Sequence, residues 1–208
     1  MYKHSRGRIT ALSDGIFAFA ATLMVVDIGT TIDIKNIGAQ LPLFTSFGVA
    51  FFVMMLLWKV HYNFFQRTKY VDNWIITANI LLLFTILFYL FPLKTLINSI
   101  TQQIGMTAND LSQLFMLYGG GFVLIFASYS FLYWKAYKRD IENNNRLKLK
   151  FFCSHFLIFV IIGIVSVILS AFQLGINFGF PGFVYALLGP LCYFNGAFFR
   201  KKHPSVFT

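Results

Sequence analysis

The polar residues best suited to chemistry lie inside long apolar runs of the chain. Asp14 follows Ser13 in the first apolar run, and His61 and Asn79 lie in the second and third. A charged group inside a membrane-spanning segment is unfavourable by roughly 2.5–3.5 kcal/mol at its centre, and it usually marks function. We therefore expect Asp14 to have polar partners at its own depth.

The depth of each residue along its helix indicates which side chains these partners are. Asp14 lies six residues past Arg8, which places it about 9 Å further along a helix. His61 lies six residues before Arg67 on a helix that runs the opposite way, and Asn79 lies at a similar depth in the third segment. These spacings predict that the three side chains meet near the inner surface of a membrane.

Two interpretations of His61 remain open. Trp58, three residues earlier, shares its face of the second helix. A network of Ser13, Asp14, His61 and Asn79 would satisfy polar groups that are otherwise stranded in hydrocarbon. Alternatively, His61 faces a lipid headgroup or a neighbouring backbone.

The composition requires a membrane around these residues. The 208 residues are 58% hydrophobic, 19% aromatic and only 12% charged, with a mean hydropathy of +0.70. Soluble domains carry about 25% charged residues, and the apolar content also excludes disorder. We predict an all-α integral membrane protein.

Six apolar segments are separated by clusters of charge, Gly, Pro and Asn. Because a span needs about 20 residues, we predict one six-helix unit over 1–208 without a soluble domain or internal repeat. The predicted transmembrane helices cover approximately 9–30, 38–65, 74–98, 110–137, 150–174 and 180–199.

The charge distribution orients this unit. The chain has 17 Lys and Arg against 7 Asp and Glu, for a net charge of +10. With the N terminus inside, 14 of the 17 basic residues fall in inner segments, as the positive-inside rule requires. We therefore predict that both termini are cytoplasmic, and we interpret the basic charge as orientation in lipid rather than as nucleic-acid binding.

No motif predicts an enzyme or a cofactor. Cys153 and Cys192 lie outside metal-binding or redox patterns, and G-x-S-x-G and H-E-x-x-H are absent. The Gly-rich stretch 118–121 predicts a small-residue packing seam between helices. One functional alternative is a proton-coupled secondary transporter that uses Asp14 and His61.

The first helix has two distinct faces. At about 100° per residue, Ser13 and Asp14 fall on the side opposite Phe19, and Asp14 shares that side with Ala18, Ala21 and Val25. The residues within about 60° of Phe19 are Leu12, Gly15, Ile16, Thr22, Leu23, Val26 and Thr30.

The segment from Arg8 through Ser13 and Asp14 to Asp27-Ile28 resembles the first-helix signature of the lysosomal potassium channel family of the transmembrane protein 175 type. The family motif is R-x-x-x-F-S-D, and this chain has Leu12 where the family has Phe. Trp58, His61 and Asn79 are also consistent with that family.

The resemblance implies a passive cation channel that favours potassium and lacks a T-V-G-Y-G filter. It implies that the first helix lines a central pore and that single-unit chains form homotetramers in a prokaryotic plasma membrane. Monovalent cations and membrane lipids are then the implied partners, and the permeating potassium ion is the only implied ligand.

The resemblance also assigns roles by position. Phe19 falls on the main hydrophobic constriction, where relatives usually have Ile or Leu, so a bulky hydrophobic gate is implied. Thr22 follows it, and Leu23 and Val26 form a further apolar ring. We expect Asp27 to attract cations at the outer mouth, while Asp33 is expected to be a solvated loop residue. The expected supports of the first helix are Arg8, Leu12, Ser13, Asp14, Trp58, His61 and Asn79.

Overall fold

The computed structural model describes residues 5–31, 40–101, 105–141 and 146–204, with side chains described up to 26 in the first of these ranges. All regular structure in these ranges is helical. Six stretches are long and apolar enough to cross a membrane. The helices are α1 (Arg6–Thr31), α2 (Leu41–Arg67), α3 (Asn73–Thr101), α4 (Ala108–Arg139), α5 (Arg146–Ala171), α6 (Phe180–Phe183) and α7 (Leu188–Lys202).

The sixth stretch is not one continuous α-helix. A 3-10 segment, Val184–Leu187, joins α6 to α7. Pro190 is the third residue of α7 and has no N–H to donate to the carbonyl of Ala186, so an unbroken α-helical ladder cannot form here. The single segment expected over 180–199 is therefore a composite of two helices and a tighter turn.

Local capping fixes where α3 begins. The Oδ1 atom of Asp72 accepts a hydrogen bond from the backbone N–H of Ile75 at 2.9 Å. This satisfies one of the free donors at the helix start. The cap sets the register of α3 and therefore the depth at which Asn79 enters the core.

The packed centre of the subunit lies between α3, α4 and α5, and the pairing of α4 with α5 is the most extensive. Its largest fully buried side chains include Tyr129 and Tyr133 of α4, and the ring of Phe64 on α2 lies 5.0 Å from that of Tyr133. By contrast, α1 packs only against α2 and α3 among the substantial helix contacts. The first helix therefore lies at one edge of the subunit.

Glycines let α4 approach its neighbours closely. A Cβ atom on Gly121 would lie 2.7 Å from Cδ2 of Tyr89 on α3, and one on Gly119 would lie 2.7 Å from a methyl group of Val167 on α5. Neither distance is compatible with a side chain, so the helices meet only because these residues are glycine. The predicted packing seam is confirmed at Gly119 and Gly121 but not at Gly120, where a Cβ atom would meet nothing within 4 Å.

Candidate functional site

The first helix buries one narrow face against the rest of the chain. Its buried residues follow the helical spacing of four, three and four, and they are Ser13, Phe17, Ala20 and Met24. The burial of every third or fourth residue is typical of a helix attached along a single stripe. Most of the described surface of α1 is therefore left uncovered by the rest of the chain.

The residues expected to face a pore lie on this uncovered surface. Phe19 is 61% exposed, and the side chains of Leu23 and Val26 are also exposed. Thr22 is exposed as well, and its hydroxyl donates to the carbonyl of Ala18 at 3.0 Å. That bond uses the hydroxyl proton, so the lone pairs of the oxygen remain able to accept.

Three buried polar side chains join the first three helices. The Nδ2 atom of Asn79 donates to the hydroxyl of Ser13 at 3.1 Å. The Oδ1 atom of the same amide accepts from Nε2 of His61 at 2.7 Å. Because the residues are 0%, 2% and 1% exposed for Ser13, Asn79 and His61, water does not compete for these bonds. They form one chain from α1 through α3 to α2, which we call the inner polar chain.

The inner polar chain is anchored at both ends. The hydroxyl of Ser13 donates to the carbonyl of Ile9 at 2.9 Å. The ring of His61 packs edge-on to Phe17 with centroids 5.7 Å apart, and its centroid lies 5.0 Å from that of Phe65. The imidazole is thus held in one orientation by rings on two helices, which preserves the geometry of its hydrogen bond.

Asp14 takes a different position from the one expected. Its side chain is exposed, and its Oδ1 atom accepts a hydrogen bond from Nε1 of Trp58 at 2.8 Å. One residue corresponds to a rotation of about 100° around a helix, so Asp14 turns away from the buried stripe that contains Ser13. It is therefore joined to α2 by Trp58 and lies outside the inner polar chain.

The remaining predicted supports lie apart from this chain. Arg8 and Leu12 are exposed, and neither takes part in the hydrogen bonds that join α1 to α2 and α3. The side chain of Asp27 and the whole of Asp33 lie outside the described residues.

A polar cluster at the turn between α2 and α3 was not expected from the sequence. The Oδ2 atom of Asp72 accepts from the hydroxyl of Tyr70 at 3.1 Å and lies 3.6 Å from Nζ of Lys135 on α4. Desolvation and, secondarily, the Asp72 carboxylate raise the pKa of the Tyr70 phenol. Thr68 donates to Oδ2 of Asp140 at 2.6 Å, which ties the turn to the end of α4. An Asp shortly before an apolar run is a helix-start signal that could have located Asp72.

The described residues offer no metal centre. Among them, no group of three or more His, Cys, Asp or Glu side chains is placed to hold an ion. Cys153 and Cys192 are free thiols.

Comparisons with known proteins agree with this architecture. The family model described as "Endosomal/lysosomal potassium channel TMEM175" matches residues 8–92, which span α1, α2 and most of α3. A protein of Marivirga tractuosa named "Potassium channel" is 28% identical over 94% of this chain and 88% of its own length. A protein of Streptomyces collinus, also named a potassium channel, is 34% identical over 38% of this chain and 42% of its own length.

Two solved structures share the fold. The crystal structure of the potassium channel MtTMEM175, solved as a variant with a nanobody–MBP fusion protein, superimposes with a TM-score of 0.76 and 27% identity and covers 93% of both chains. The structure of a TMEM175 homologue from Chamaesiphon minutus has a TM-score of 0.60 and 22% identity, and it covers 88% of this chain and 97% of that one. The similarity to MtTMEM175 therefore extends over all six spans.

Proposed function

We propose that this multi-pass membrane protein is a TMEM175-type channel that favours potassium and lies in a prokaryotic membrane. The observation that carries the proposal is similarity over nearly the whole chain to proteins named as potassium channels, in sequence and in fold. Ion conduction is then passive and needs no cofactor.

We propose that four copies surround a central pore lined by α1. Two features of α1 support this arrangement. Its own subunit covers only one stripe, which leaves Phe19 and its neighbours exposed. In addition, Asp14 is exposed in a span, and a carboxylate inside a membrane faces protein or water rather than lipid. Both features are accounted for if α1 lies at the centre of an assembly.

Phe19 is the proposed gate. Four phenylalanine rings at one level of a narrow pore exclude water, and a dewetted constriction blocks ions until it widens. Thr22 lies one helical turn further along and would offer hydroxyl oxygens to a passing cation. Leu23 and Val26 would form the next apolar level, and Asp27 would attract cations at the outer mouth.

Selectivity must come from side chains or retained water. The carbonyls of α1 are engaged in its own hydrogen-bond ladder, so a stack of carbonyl oxygens is not available to the ion. A ring of threonine hydroxyls is a looser cage than such a stack, and we expect a modest preference for potassium over sodium.

The inner polar chain and the bond between Trp58 and Asp14 would hold α1 at a fixed angle to α2 and α3. This role differs from that in a proton-coupled transporter, which would need Asp14 and His61 to share a proton. In the described structure Asp14 bonds to Trp58 and His61 bonds to Asn79. The geometry thus favours support over proton transfer.

The gate is tested by comparing two phenylalanine variants in liposomes. Phe19→Ala opens the constriction and is expected to raise basal potassium flux by at least about tenfold, because removing a large apolar ring lets water enter. Phe88→Ala is the matched control, since Phe88 is 58% exposed on α3. Unchanged flux in Phe19→Ala, or an equal rise in both variants, would remove Phe19 from the pore.

A further inference from the structure

Two cations lie over a single aromatic ring where the inner ends of α4 and α5 meet. The guanidinium carbon of Arg146 is 4.9 Å from the ring centre of Tyr137, and Nζ of Lys150 is 5.8 Å from the same centre. The Nε–H of Arg146 also donates to the backbone carbonyl of Tyr137 at 3.0 Å. We call Tyr137, Arg146 and Lys150 the inner cation site.

The two positive charges in this site lie close to each other. Arg146 and Lys150 are four residues apart on α5, a spacing at which like charges weaken a helix. The carboxylate of Asp72 on the neighbouring turn pairs with Lys135 and with neither of these two residues. The ring of Tyr137 attracts both cations through its face, but a ring carries no net charge. An anion between the two side chains would reduce their repulsion.

Beyond the half-buried Ser154, this face of α5 is apolar and exposed. At about 100° per residue, the positions that lie within about 40° of Lys150 toward the outer end include Leu157, Ile161, Ile164 and Ile168. Their side chains are 49%, 54%, 44% and 48% exposed, respectively. One helix face therefore offers cations at the inner end and an uncovered apolar track through the span.

The neighbouring end of α4 lies at headgroup depth. Trp134 is 42% exposed, and Nζ of Lys138 lies 5.2 Å from its ring centre. Tryptophan next to lysine at a span end is typical of the membrane–water interface. The inner cation site is one helical turn from this position, so it lies where phosphate groups of the inner leaflet are found.

We propose that the inner cation site binds the headgroup phosphate of an anionic phospholipid, with an acyl chain along the exposed apolar face of α5. The charge of the site selects an anionic lipid over a zwitterionic one. The continuous apolar track selects a lipid over a free anion. The site lies on α4 and α5, away from α1, and the proposal does not depend on ion conduction.

Native mass spectrometry of the purified full-length protein tests the proposal. The protein is incubated with equal amounts of phosphatidylglycerol and phosphatidylcholine of identical acyl chains. We expect a roughly thirtyfold preference for bound phosphatidylglycerol, from the attraction of two cations. The double variant Arg146→Gln/Lys150→Gln is expected to lose this preference. Lys201→Gln/Lys202→Gln, which removes the same charge from the inner end of α7, is expected to retain it.

A thermal-shift series separates the alternatives. Phosphatidylglycerol should raise the Tm of the wild-type protein, whereas inorganic phosphate at the same concentration should not. Lys150→Gln alone, at an exposed position, is expected to keep the fold and lose about half of the shift. Equal retention of the two lipids, equal loss in both double variants, or an equal Tm shift with inorganic phosphate would overturn the proposal.

Discussion

The first helix and the α4–α5 pair are held in place by different forces. The α4–α5 pair buries phenylalanine and tyrosine rings, with Phe126 and Phe159 centroids only 4.5 Å apart, and its glycines allow close approach of the backbones. Among its described side chains, up to residue 26, the first helix buries Ser13, Phe17, Ala20 and Met24, and it depends on directional hydrogen bonds to two neighbours. Dispersion over a large interface gives a rigid scaffold, whereas a few buried hydrogen bonds fix orientation at one level. From this contrast we infer that the α4–α5 pair is rigid and that the first helix is held less firmly.

The largest expected effect is on the scaffold. Gly119→Ala places a methyl group 2.7 Å from a methyl carbon of Val167 on α5, and overpacking of this kind destabilises by about 1–3 kcal/mol. Thermal unfolding in detergent measures the loss as a lower Tm.

Gly120→Ala is the matched control, because a Cβ atom there meets nothing within 4 Å. It should be neutral or slightly stabilising, since alanine is the better helix former. An equal loss of stability in both variants would show that helix propensity, rather than close approach, accounts for the seam.

The second prediction concerns the inner polar chain. Asn79→Ala removes two buried hydrogen bonds and leaves the Nε2–H of His61 without its partner, at a cost of about 1–3 kcal/mol. The loss should be local, because the bonds join α1 to α2 and α3 only. Hydrogen exchange followed by mass spectrometry should show faster exchange in α1 and unchanged protection in α4.

Thr77→Ala is the control for this variant. Thr77 is exposed on the same helix, and its hydroxyl donates only within the helix, to the carbonyl of Asn73 at 2.9 Å. If Asn79→Ala increased exchange in α4 as much as in α1, the two regions would not be held independently.

A smaller effect is expected from the hydrogen bond between Trp58 and the exposed Asp14. Trp58→Phe keeps an aromatic ring and removes the hydrogen bond to Asp14, which should cost about 1 kcal/mol at this partly exposed position. Potassium flux should change without loss of the folded subunit, because the buried chain remains. Trp134→Phe, on α4, is the comparison and should leave flux unchanged. Equal flux in Trp58→Phe and the wild type would show that this bond does not position α1.

The sequence predicted which side chains meet at the same depth along the helices. Ser13, His61 and Asn79 lie at matched distances from the helix ends, and antiparallel helices bring such residues together, so their meeting could be foreseen. The charge bias and apolar runs likewise predicted six spans. Asp14 could not be placed as reliably, because its exposure depends on how α1 is rotated against α2, and one residue changes that direction by about 100°.

Other features depend on interactions that periodicity does not show. The cluster of Thr68, Asp72 and Asp140 forms in a short turn, where side chains from three helix ends converge. The break before α7 follows from Pro190, whose effect on a span depends on the surrounding packing, since proline is tolerated in some transmembrane helices. The role of Phe19 remains a prediction, because the structure describes a single chain and the proposed assembly would determine what its exposed ring faces.

Ion flux into liposomes that contain the purified protein is the most direct test of the proposed channel. Potassium, sodium and a large organic cation would be compared with and without a pH gradient. The account predicts potassium flux that exceeds sodium flux, excludes the large cation, does not saturate and needs no proton gradient. Saturable flux that occurs only under a proton gradient would contradict it and would make Asp14 and His61 the working site of a transporter.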